Sequence, residues 1–224
     1  MEAYIEHFIS DYADEIVNGN AALFAGAGFS KEVGFVDWKG LLKDAADEMK
    51  LNIEKEDDLI SVAQYYVNEN GRAGINSIIG NEFLQDREPG ENHKIVARMP
   101  IQSYWTTNYD SLLEDALTNE GKTVDVKFCN SHLSRTVPNR NVIVYKMHGD
   151  KSLPSDAVLI KDDYERYYKK QAPFVTALCG ELVAKTFLFV GFSFSDPNLD
   201  YILSRMRVEY GENVRKQHYA LFKE

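Results

Sequence analysis

Ile5, Phe8, Ile9, Tyr12 and Ile16 recur every three or four positions, which predicts an amphipathic helix over residues 3–17. Asn18-Gly19-Asn20 closes it, and Ala21 to Ala25 reads as a short buried strand. Trp38, Leu41, Leu42, Ala45 and Met49 mark the next helix. Residues 57–98 carry two or three further helical patterns, with Asp57 or Asp58 capping the first and Gly71, Gly74 and Pro89-Gly90 as punctuation. No strand pattern interrupts this stretch, so residues 51–99 are expected to form a helical insertion in a sheet domain built from 1–50 and 100–224.

Strand character returns at Ile101 to Thr106, and Ser111 to Leu117 is again helical. Thr123 to Phe128, Val142 to Lys146, Phe187 to Val190 and Gln217 to Phe222 read as further strands. Residues 162–184 are helical with an interruption at Pro173, and Pro197 suits the first turn of a helix through Met206. Strands alternating with helices predict an α/β fold, a Rossmann-like and mainly parallel sheet flanked by helices. The chain stops two residues past its last strand, as expected of one domain within a longer protein.

Four short segments follow four of these strands. They are Gly26-Ala27-Gly28-Phe29-Ser30, Thr106-Thr107-Asn108-Tyr109-Asp110, Lys146-Met147-His148-Gly149-Asp150 and Gly191-Phe192-Ser193-Phe194-Ser195-Asp196-Pro197-Asn198. In an open α/β sheet the segments leaving the carboxyl ends of strands converge on one crevice, and ligands bind there. Glycines, an amide, an imidazole and hydroxyls at such exits are equipment for a nucleotide site with chemistry in it.

Each segment also has a plain structural reading. Gly26 and Gly28 let a backbone approach a pyrophosphate, or they serve a tight turn. Lys31 replaces the third glycine of the dehydrogenase fingerprint, and Gly-Lys-Ser/Thr is absent. Ser30 can donate its hydroxyl. Asn108 and Asp110 can hold ribose hydroxyls or a water, or cap the following helix. His148 is the sharpest single candidate: histidine titrates near neutral pH, and Gly149 beside it is expected to leave room for a ligand. His7, His93, His132 and His218 carry no matching context. Ser193 and Ser195 suit phosphate or ribose, and Asp196 suits a helix cap.

Composition narrows the function classes. The net charge is −10 with no basic stripe, which argues against direct nucleic-acid binding. An anionic nucleotide can still bind backbone N–H groups. Cys129 and Cys179 form no Cys-x-x-Cys pair, and no second histidine or cysteine lies at zinc-ligand spacing, so no metal is expected. The N-terminus lacks the apolar core of a secretory signal, and no run approaches the ~20 apolar residues of a membrane span. A cytoplasmic protein is expected.

The four segments, in this order, resemble the sirtuin-like NAD-binding fold. Thr-Thr-Asn-x-Asp at 106–110 and Gly-Phe-Ser-x-x-Asp-Pro at 191–197 are more similar to the bacterial sirtuin-like domains of anti-phage and toxin systems. The resemblance spans about residues 20–222. It implies that His148 is a catalytic base acting on a nicotinamide-ribose hydroxyl and that Asn108 orients the ribose or the attacking water. It implies that Gly26 and Gly28 line the NAD phosphates, within a nucleotide-binding set of Gly26, Ala27, Gly28, Ser30, Asp37, Thr107, Asp110, Gly191 and Ser193.

Two departures matter. Protein-deacylating sirtuins carry two Cys-x-x-Cys pairs and a Pro-Asp-Phe-Arg sequence; here Val36-Asp37-Trp38-Lys39 stands without the arginine. Both favour water over acyl-lysine as acceptor, and Trp38 reads as a helix-start core residue. The leading expectation is an NAD+ glycohydrolase releasing nicotinamide and ADP-ribose, the effector of a prokaryotic defence system. The alternatives are an NAD-dependent deacylase and a non-catalytic NAD- or ADP-ribose-binding module. An ungated NAD+ hydrolase would kill its host, so a homo-oligomer, a partner protein or a further domain is expected to gate it.

Overall fold

The computed structural model describes residues 2–192, 194, 196–211 and 216–222. Helix α1 (Glu2–Val17) leads into strand β1 (Ala21–Ala25). Between β1 and β2 (Ser103–Thr106) lie α2 (Ala27–Ser30), α3 (Trp38–Glu48), α4 (Leu59–Asn70), α5 (Arg72–Phe83) and α6 (Glu91–Arg98). Then come α7 (Leu112–Asn119), β3 (Val124–Lys127), α8 (Asn130–Leu133) and β4 (Val142–Lys146). Helices α9 (Lys161–Lys170) and α10 (Ala172–Ala184), β5 (Thr186–Val190), α11 (Pro197–Tyr210) and β6 (Tyr219–Leu221) complete the order.

The strands form one parallel six-stranded sheet in the order β3-β4-β2-β1-β5-β6. The chain builds outward from β1 on one side and then returns to add β5 on the other. That reversal opens a crevice at the carboxyl ends of β1 and β5, the place where such sheets bind ligands. Every residue of β1 and β5 is buried, whereas β3 and β4 alternate. Central strands covered on both faces read as continuous apolar runs.

Alternation along β1 sorts the two cores. Ala21, Leu23 and Ala25 pack with Tyr12, Val96, Leu113 and Leu117 on one face. Ala22 and Phe24 pack with Tyr167, Phe174, Leu178 and Phe187 on the other. The stripe on α1 is narrower than its periodicity predicts. Phe8 and Ile16 flank the core and Tyr12 is buried within it, while Ile5 and Ile9 are exposed.

The segment between β1 and β2 is helical apart from short turns, among the described residues. Its core of Leu42, Ile53, Val62, Ile75, Ile79 and Phe83 also takes in Tyr109, Leu112 and Leu159 from beyond β2. Asp58, rather than Asp57, caps α4 by accepting from Ser61 N–H. Arg72 ties α5 to the start of α9 through Asp163 at 2.6 Å. These contacts set one wall of the crevice. Among the described residues, no helix is long and apolar enough to cross a membrane.

Candidate functional site

The exits from β1 and β5 lock back to back. Gly26 N–H donates to Val190 O and Gly28 N–H to Gly191 O, each at 2.9 Å. A Cβ at Gly26 would lie 2.5 Å from Gly191 O, and one at Gly28 would lie 2.9 Å from it. Gly191 itself has φ +61°, and a Cβ there would meet Phe29 N at 2.3 Å. The glycines are therefore required first by this close backbone approach. Ser193 lies outside the described residues.

The exit from β2 is held by side chains. Asn108 Nδ2 donates to Gly26 O at 3.1 Å and to Ser30 Oγ at 3.0 Å. Ser30 Oγ donates in turn to Asp110 Oδ2 at 2.9 Å. Asp110 is buried, and its other oxygen accepts from Leu112 N–H at 3.0 Å, while Ser111 holds the N-cap position of α7. Asp110 thus serves both the helix start and the loop after β1. The amide's donors are spent on positioning, while its buried Oδ1 has no hydrogen-bond partner among the described residues. Such atoms are rare and call for an explanation.

The exit from β4 carries His148, which is 2% exposed. Its carbonyl accepts from Val158 N–H at 2.9 Å. Gly149 does not make the expected room for a ligand. It has φ +95°, and a Cβ there would sit 3.2 Å from Ala157 Cα, so the glycine is demanded by its left-handed backbone and by that neighbour. His148 Nε2 lies 3.3 Å from Asp196 Oδ2, but off the angle of a hydrogen bond, and it is otherwise unpaired. Burial pushes the imidazole's pKa below its ordinary value, and the carboxylates of Asp196 and Asp163 partly oppose that. The ring is neutral near pH 7.

His148 lines a cavity of about 740 Å³ together with Ala27, Gly28, Thr107, Gly191 and Asp196. Trp38, Tyr164, Leu221 and Phe222 supply apolar and aromatic wall, and Lys31, Asp37, Asp57 and Asp58 supply charge. A smaller pocket of about 30 Å³ adjoins it and is lined by Ser30, Asn108, Tyr109 and Asp110. Ala27, Asp37, Trp38 and Thr107 border both spaces. The volume falls within the ~300–1,000 Å³ of small-molecule sites. The fold therefore brings Asn108 and His148 to adjoining cavities, although they do not touch through any direct hydrogen bond.

Asp37 caps α3 by accepting from Gly40 N–H at 3.0 Å and pairs with Lys31 at 2.8 Å. The hydrogen bond from Lys31, then that from Gly40, holds its carboxyl below the usual range. Trp38 opens α3 as expected and also faces the cavity. The other histidines are placed apart. His93 is buried against Glu32 at 3.2 Å, and His218 accepts from Phe187 N–H at 3.2 Å.

Sequence reasoning missed the fully buried Lys146. Its ammonium lies 2.8 Å from Glu114 and 2.5 Å from Asp150, and it donates to the carbonyls of Tyr109 and Asp110. Asp150 is four residues on in the same segment, but Glu114 belongs to α7 and the two carbonyls to the loop after β2, which spacing along the chain does not show. The pairing of Asp196 with His148 was missed for the same reason; Asp196 does cap α11, accepting from Leu199 N–H at 2.9 Å.

Residues 102–224, more than half of the chain, match the family described as SIR2-like domain. The chain is 55% identical over 225 residues to NAD(+) hydrolase ThsA of Bacillus cereus, covering 100% of this chain and 47% of that protein. It is 57% identical over 210 residues to NAD(+) hydrolase ThsA of Acinetobacter baumannii, covering 93% and 43%. It is 25% identical over 206 residues to Defense-associated sirtuin 2 of Bacillus subtilis, covering 89% and 20%. The chain spans about half the length of the NAD(+) hydrolase relatives it matches. With its parallel sheet and a cavity at the β1–β5 crevice, the chain belongs to the SIR2-like domain family.

Proposed function

We propose that this chain is the NAD+-cleaving part of a larger NAD+ hydrolase, one that acts in prokaryotic defence against phage. The observation that carries the reading is that Asn108, whose buried Oδ1 has no hydrogen-bond partner among the described residues, and His148 line adjoining cavities at neighbouring strand ends. The names of the relatives from Bacillus cereus and Acinetobacter baumannii support the reaction, and that of the relative from Bacillus subtilis supports the defence role.

The reaction is balanced by water alone: NAD+ and H2O give nicotinamide, ADP-ribose and a proton. The bond from the ribose carbon to the nicotinamide nitrogen breaks, and water oxygen takes its place. Nicotinamide leaves as a neutral ring, so the developing positive charge lies on the ribose. A base is needed for the proton of a ribose hydroxyl or of water, and a buried neutral imidazole can accept it. An amide fixed by two hydrogen bonds can orient the ribose or the water at little reorganisation cost. Ala27, Gly28, Ser30, Asp37, Thr107, Asp110 and Gly191 would border the dinucleotide.

In this reading residues 1–224 form one sirtuin-like domain with the helical insertion at 51–99, and the reaction needs no metal. It takes place in the cytoplasm, without nucleic acid or membrane, and assembly with further copies, a partner or the rest of the protein gates it. The test is nicotinamide release from NAD+ by the full-length protein and by this chain, with an acetylated peptide as a second substrate. Hydrolysis without peptide supports the proposal. Turnover only with the acetyl-peptide makes the protein a deacylase, and NAD+ binding without turnover makes it a sensor. One zinc per chain by elemental analysis contradicts the metal-free reaction.

A further inference from the structure

Asp196 stands between a helix and the histidine. Its Oδ1 accepts from Leu199 N–H at 2.9 Å as the cap of α11, which fixes the carboxylate against a rigid element. Its Oδ2 accepts from Tyr164 Oη at 3.2 Å and lies 3.3 Å from His148 Nε2. The rings of Tyr164 and Tyr167 stand edge-on to the imidazole at 5.7 and 6.2 Å, which limits its rotation. All of Asp196, Tyr164 and His148 border the large cavity.

We propose that Asp196 is the positioning partner of His148, orienting its ring and stabilising the imidazolium that forms when the base takes a proton. This deepens the proposed hydrolase reading and rests on it. A helix cap alone needs only Oδ1. The second oxygen lies beside His148 Nε2, a buried ring nitrogen with no hydrogen-bond partner among the described residues. At 3.3 Å the attraction to an imidazolium acts whatever the angle, and a small rotation completes the hydrogen bond.

The groups facing His148 leave Asp196 as the nearest free charge. Asp163 of α9 also favours the imidazolium, but it is paired with Arg72 and accepts from Leu159 and Ile160 N–H. Tyr167 spends its hydroxyl on Met147 O, and Lys146 of β4 is committed to Glu114 and Asp150.

Asp196→Asn separates the roles. Asparagine keeps the cap and loses the charge. The melting temperature of the full-length variant is expected within a degree or two of the parent. Its kcat is expected to fall by about tenfold, with KM little changed, since a base weakened by about one pKa unit loses up to about that factor. The acid limb of kcat against pH moves to lower pH, because removing a carboxylate disfavours the imidazolium. NMR titration of the His148 ring reads the same shift without turnover, its signal assigned by loss in His148→Ala. An unmoved His148 titration, or parental kcat in a variant of a parent that does hydrolyse NAD+, overturns the proposal. A parent that does not hydrolyse NAD+ defeats the functional reading instead, and the titration still decides the pairing.

Discussion

Lys146 Nζ lies 2.5 Å from the carbonyl oxygen of Asp110, joining the end of β4 to the loop after β2. It also reaches Tyr109 O at 3.1 Å, next in the chain after Asn108. Burial alone would disfavour the ammonium, but Glu114 and Asp150 hold it charged. The same ammonium keeps the Asp150 carboxyl low against the opposing effect of its burial. One side chain thus fixes the spacing of the two strand exits that carry Asn108 and His148.

Lys146→Met is expected to destabilise the chain by about 3–5 kcal/mol, because it leaves the buried Asp150 carboxylate without its cation, together with Glu114, whose carboxyl burial already pushes above its ordinary range. Denaturant unfolding measures this. A loss under about 1 kcal/mol would mean that the cluster is far wetter than its geometry implies.

Gly191→Ala tests the locked backbones of the β1 and β5 exits. A methyl group there would lie 2.3 Å from Phe29 N, with φ at +61°. Both strain and overlap must be relieved by moving Gly26 to Phe29, at a cost expected above ~1 kcal/mol. Thermal melting and NAD+ titration should both worsen; an unchanged variant would show that the loops are not held by this contact.

Much of this arrangement was legible in the order of residues. The continuous apolar runs of β1 and β5 carry their burial openly, and Asp196 and Asp58, the latter one of two candidates, stand directly before the helices they cap, whereas the capping of α3 by Asp37 was not read from the sequence. What was not legible joins positions far apart in the chain. Lys146 meets Glu114, and Asp196 meets His148, only because β4 pairs with β2 and α11 packs near α9. Gly149 misled for a related reason: Ala157, eight positions on, occupies the space the glycine was expected to leave open. The edge of α1 was over-read because periodicity gives a stripe but not its width, and the sheet covers Phe8, Tyr12 and Ile16 only.

Ile75→Ala tests the helical wall. Ile75 is fully buried in the core shared by α3, α4, α5 and Tyr109. Truncation is expected to cost about 2–5 kcal/mol, transfer and cavity together. Because that core includes Tyr109, the variant should also weaken NAD+ binding. Calorimetry and ligand titration check the two effects.

A pH dependence follows from His218. Burial, with a smaller push from Lys216, lowers its pKa to about 4, and neutral Nδ1 accepts from Phe187 N–H. The unfolded chain takes up this proton near pH 6.5 and the folded one only near 4, so stability is lost as pH falls through that window. Melting temperatures should decline from pH 6.5 towards 4, and His218→Asn should flatten the decline. An equal slope in the variant would assign the effect to other groups.

The central claim is that His148 and Asn108 act together on NAD+, and nicotinamide release by the activated full-length protein tests it most directly. His148→Ala should lose roughly 10²–10⁴ in rate while NAD+ binding largely persists. Asn108→Ala should lose a similar factor, and the double variant should be little worse than either, because residues acting as a unit are not additive. His132→Ala should keep near-parental turnover, with melting curves confirming that each variant is folded. A folded His148→Ala protein that releases nicotinamide at the parental rate would contradict the account.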